Sequence, residues 1–130
     1  MFIVKFLFLF FCMVQAGTFP TAIGECTLEI YGGRVDDIPI FVQLIQDETK
    51  NLSKEFGQVQ LLPFFVYITS NMKDFNEKTK GPVPEWGIAV AKMKPERIIM
   101  KSPGIANISF VRMKEVLIHE LNHIYMFRVP

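Results

Sequence analysis

The chain has 130 residues, half of them hydrophobic, with 14 basic and 13 acidic side chains and a net charge of +1. That length suits one domain, and the near-neutral balance excludes the basic footprint by which proteins hold nucleic acid or an anionic membrane surface. No internal repeat and no low-complexity tract interrupts it.

In chain order, Met1 to Ala16 comes first. It carries one charge, Lys5, then an unbroken apolar run from Phe6 to Val14, and closes on Val14-Gln15-Ala16, small enough at both ends for signal peptidase. This predicts a secretory signal cleaved after Ala16, hence a secreted, periplasmic or cell-envelope protein. A membrane span needs about 20 apolar residues, more than the run supplies, so an uncleaved anchor is the second reading. Loss of the segment leaves basic and acidic residues equal in number. Cys12 departs with it, so Cys26 has no internal disulfide partner and reads as a small buried apolar residue.

Thr27 to Tyr31 alternates and stops at Gly32-Gly33, the mark of a short strand and a turn. From Ile38 to Phe56 the residues Ile38, Phe41, Val42, Leu44, Ile45, Leu52 and Phe56 fall at helical spacing. Asp36 and Asp37 stand in front, Pro39 in the first turn, and Gly57 is the stop. Leu61 to Thr69 is a β-branched and aromatic run that predicts a buried strand, with Pro63 placing its start near a sheet edge. Ser70 or Asn71 caps a short helix from Met72 to about Thr79, and Gly81-Pro82-Val83-Pro84 breaks regular structure. Gly87 to Met93 and Arg97 to Lys101, joined by Lys94-Pro95-Glu96, read as adjacent strands of a hairpin. Ser102-Pro103-Gly104 ends the sheet. Asn107 and Ser109 are the candidate caps of a final helix. This order predicts an α+β domain, with helices on one side of a small mixed sheet.

The final helix carries the chemistry. Val116, Leu117, Ile118, Leu121, Ile124, Tyr125, Met126 and Phe127 wrap nearly its whole circumference, which predicts a buried central helix. Among them stand His119, Glu120, Asn122 and His123, and the two histidines are the only ones in the protein. Residues four apart share a helix face, so His119 and His123 can point ring nitrogens at one ion. Polar groups in a buried helix need partners, and a metal ion serves both imidazoles at once. His-Glu-Leu-Asn-His is also the HExxH signature of zinc peptidases, with Glu120 beside the pair as general base toward a metal-activated water.

The secretory start, the strand pair around Trp86-Gly87-Ile88-Ala89-Val90-Ala91 and Ile98-Ile99-Met100-Lys101-Ser102-Pro103, and the run Val116 to His123 together resemble the peptidase MA-like members of the gluzincin superfamily. The resemblance implies a zincin-like fold over residues 17–130, in which a sheet lies over the active-site helix. It further implies that His119 and His123 bind Zn2+, that Glu120 is the catalytic base of a metalloendopeptidase, and that a peptide or protein substrate lies extended along an edge strand. Gly87 to Met93 is the expected edge, and Trp86 either shapes a pocket or packs as core. The extended metzincin motif asks for glycine at position 126 and histidine at position 129; Met126 and Val129 exclude it. In gluzincins the third ligand comes from a later helix, so the chain reads as the N-terminal part of a longer protein with that ligand past Pro130. A non-catalytic secreted module that keeps the zincin scaffold is the alternative.

Other polar residues carry weaker expectations. Glu115, one turn before His119, either orients that imidazole or is a surface charge. Asn122 is placed to bond a neighbouring strand. Tyr67 and Tyr125 read as buried packing, while Arg112, Lys114 and Arg128 read as solvated or capping charges.

Overall fold

The computed structural model describes residues 5–8, 14–32, 38–80, 87–102 and 106–130. Among the described residues, six strands and three helices follow in the order β1 (Lys5–Phe8), β2 (Val14–Thr21), β3 (Gly24–Tyr31), α1 (Ile38–Phe56), β4 (Phe64–Thr69), α2 (Met72–Thr79), β5 (Ala89–Lys92), β6 (Arg97–Lys101) and α3 (Phe110–Phe127). The strands form one sheet in the order β1-β2-β3-β4-β6-β5, parallel from β3 through β4 to β6 and antiparallel at both sides. The domain is thus α+β with a small mixed sheet, and no described helix is long and apolar enough to cross a membrane.

Much of the secretory reading falls outside the described residues. Cleavage after Ala16 would take away β1 and the first residues of β2, leaving Gly17 to Thr21 paired with β3 in a five-stranded sheet. The readings placed on Cys12, Gly33, Asp36, Asp37, residues 81–84, Trp86, Pro103 and Gly104 likewise lie outside the described residues.

Alternation sorts the sheet's side chains. Cys26, Leu28 and Ile30 of β3, Phe64, Val66 and Ile68 of β4, and Ile98 and Met100 of β6 face a core shared with α1 and α3. From α1 come Ile38, Phe41, Val42, Ile45 and Leu52, and from α3 Met113, Leu117, Leu121 and Ile124. Each such side chain contributes roughly 1.5–3 kcal/mol by leaving water. α2 lies on the other face, correcting the one-sided arrangement. It packs on β4 and β6, with Phe75 buried and the Lys101 ammonium 5.0 Å from the centre of its ring.

Three further expectations change. The N-terminal hairpin β2–β3 is longer than the strand read from Thr27, because Gly24 turns the chain at φ +129°; a Cβ there would stand 2.0 Å from the Leu62 carbonyl oxygen. β4 is an interior strand, and Pro63 lies just ahead of it, so its missing N–H costs no ladder bond. Finally, α3 is not buried all round. The sheet and α1 cover one stripe, Met113, Leu117, Glu120, Leu121, Ile124 and Tyr125, and leave His119, Asn122, His123 and Met126 exposed.

The C-terminal end of α3 is anchored by Arg128. Its Nε and Nη2 reach Glu96 Oε2 at 2.8 and 2.7 Å, and it donates also to the carbonyls of Ile23, Gln60 and Leu62. The guanidinium side chain is 1% exposed. One side chain therefore joins the helix to the β2–β3 turn, the segment before β4 and the β5–β6 turn. Of the two readings of Arg128 the capping one holds, since it is the C-cap residue of α3, and the solvated one is corrected: carbonyls from two loops and a carboxylate from a third converge where a planar five-donor fork satisfies them.

Candidate metal centre

Ser109 starts the site's helix by accepting the Arg112 N–H at 3.1 Å, while Asn107 sits outside it at φ 54°. From that start the 3.6-residue repeat carries His119 and His123 onto one outward face. Their Nε2 atoms are 3.1 Å apart, with the rings 4.7 Å between centres and 83° between planes. Two nitrogens bound tetrahedrally to one zinc at about 2.0–2.1 Å stand about 3.3 Å apart, so the pair fits a shared ion with little adjustment. The premise that the imidazoles are buried does not hold; both are exposed, and solvent can serve them.

Glu120 lies under β5, is 8% exposed, and lines one cleft together with His119. Burial raises its carboxyl above the usual range, against the downward pull of His123, of His119 and of the Ala91 N–H that donates to it. The donor is available for a topological reason. The Lys101 N–H bonds the Ile88 carbonyl at 2.9 Å, so in this antiparallel ladder Ala89 and Ala91 turn their backbone groups away from β6, off the sheet's edge. Ala91 gives its N–H to Glu120. Ala89 faces a cleft of about 540 Å³ bounded by Gly87, Ile88, Val116, His119 and Glu120, with Arg112 and Glu115 at its mouth. The reading of this segment as an edge strand agrees with the sheet order.

The remaining residues sort as follows. Glu115 is exposed and pairs with Arg112 at 3.2 Å, so it serves as a surface charge. Asn122 is exposed beside Met126 rather than bonded to a strand. The Tyr125 hydroxyl donates to the Gly57 carbonyl at 2.6 Å, and Tyr67 lies on the α2 side of the sheet with the Lys78 ammonium over its ring. Cys26 is fully buried, and burial pushes its thiol well up, which leaves it inert. Among the described residues no third His, Cys, Asp or Glu joins the histidine pair. Sequence reasoning missed the Ala91 amide and the Val116 wall. Both follow from strand register and packing, and no residue type signals them.

Comparison with protein-family models, with curated proteins and with solved structures gives no match.

Proposed function

We propose that this chain is a secreted or envelope-associated zinc metallopeptidase of zincin-like fold, with His119 and His123 as zinc ligands and Glu120 as general base. The observation that carries the reading is the 3.1 Å separation of the two Nε2 atoms, with the Glu120 carboxylate one residue along at the floor of a cleft. A mixed sheet whose antiparallel edge strand runs beside that helix supports the zincin-like assignment.

Zinc held there would polarise the scissile carbonyl and make water acidic enough to deprotonate near neutral pH. The protein's own residues do the rest. Glu120 accepts the proton of the attacking water and returns it to the leaving amine, and its burial brings its basicity toward the working pH. The Ala91 N–H donates to the carboxylate and restrains it at the cleft. The free N–H and C=O of Ala89 pair with an extended peptide. Catalytic zinc takes three protein ligands, and among the described residues the histidine pair supplies two.

The test is Glu120→Gln. Peptide hydrolysis is expected to vanish while zinc content, counted by elemental analysis, stays at the parent level; hydrolysis that survives the substitution removes the mechanism. The absence of a third donor among the described residues favours one second reading, a non-catalytic module that retains the scaffold. On that reading the parent protein hydrolyses no peptide, and His119→Ala leaves folding and partner binding unchanged.

A further inference from the structure

Two imidazoles fill half of the four positions of a tetrahedral zinc, and both rings stand in the open on the outer face of α3. A second molecule can reach them. One turn along that face Met126 is 61% exposed, at the rim of a groove of about 510 Å³ lined by Leu52, Phe56, Asn122, Tyr125 and Val129. Phe56 is 66% exposed and Val129 43%. Large apolar side chains gathered in one patch mark an association surface. Histidine pair and apolar patch share one helix face, so whatever brings donors to the first also covers the second.

We infer that zinc bridges two copies of this chain across α3, each giving His119 and His123, with Met126, Phe56 and Val129 packed at the interface. A second copy is the occupant because a two-fold axis through the ion makes one pair serve twice and completes four nitrogen donors without any further residue. A net charge of only +1 per chain adds little repulsion between copies. Such a bridged ion has no open position, so the dimer is a closed, non-hydrolysing form. The inference rests on the metal half of the proposed function and is independent of its catalytic half.

Sedimentation velocity of the full chain in EDTA and in zinc chloride, with bound zinc counted by elemental analysis, decides it. The expected result is a monomer in EDTA and a dimer holding one zinc per two chains in zinc. His123→Ala should stay monomeric at the same zinc concentration, and Met126→Asp should raise the dimer dissociation constant at least about tenfold. Both positions are exposed, and thermal melts of each variant verify the fold. A monomer with one zinc per chain overturns the bridge and leaves the metallopeptidase reading standing. No zinc uptake overturns both. A zinc dimer indifferent to His123→Ala also overturns the bridge, since the metal would then sit elsewhere.

Discussion

The middle of α3 and its C-terminal cap hold polar groups in opposite circumstances. At Arg128 every donor is spent: the side chain is 1% exposed and bonds a carboxylate and three carbonyls contributed by three separate loops. At His119 and His123 the ring nitrogens meet each other and solvent. Polar groups that the protein itself satisfies hold the fold together. Polar groups that share a face, lie within ligand distance and remain accessible are available to something else. By that criterion the histidine pair, and not the buried arginine, is the candidate for the proposed function, although the arginine makes far more bonds.

Mutations can break this contrast. Arg128→Ala should cause the largest loss, about 3–5 kcal/mol in urea unfolding, because Glu96 and the carbonyls would remain buried without their donor. Arg128→Lys should recover only a minor part, since an ammonium cannot span the same fork. A loss below about 1 kcal/mol for the alanine variant would mean that α3 is held by apolar packing alone. Gly24→Ala should come next, at about 2–3 kcal/mol, from its left-handed backbone and the Leu62 carbonyl in the way of a Cβ. His119→Ala should change stability least, within about 0.5 kcal/mol in EDTA, yet lose zinc uptake. A large destabilisation there would place the imidazole in the fold's own support and undo the contrast.

The sequence made several features legible for clear physical reasons. α1 runs from Ile38 to Phe56 as its apolar spacing predicts, because Gly57 turns at φ 109° and ends it. Asn71 caps α2, and the β5–β6 hairpin forms around Pro95, as local turn and cap chemistry dictates. Local signals were silent elsewhere. In β2 the composition of Gly17 to Thr21, with Pro20, hides a strand that only pairing with β3 reveals. On α3 an almost continuous apolar run suggested burial on every side. Only the placement of one sheet and one helix decided which stripe is covered, and it left Met126 exposed.

What the chain determined unaided is periodic and local: helix spacing puts His119 above His123 whatever lies around them, because side chains four apart share a face. What tertiary structure decided is long-range. Strand order placed β5 at the edge and turned the Ala91 amide toward Glu120, and three distant loops gathered around Arg128. Neither outcome is written in any short window of residues, since both depend on which segments become neighbours once the sheet has formed.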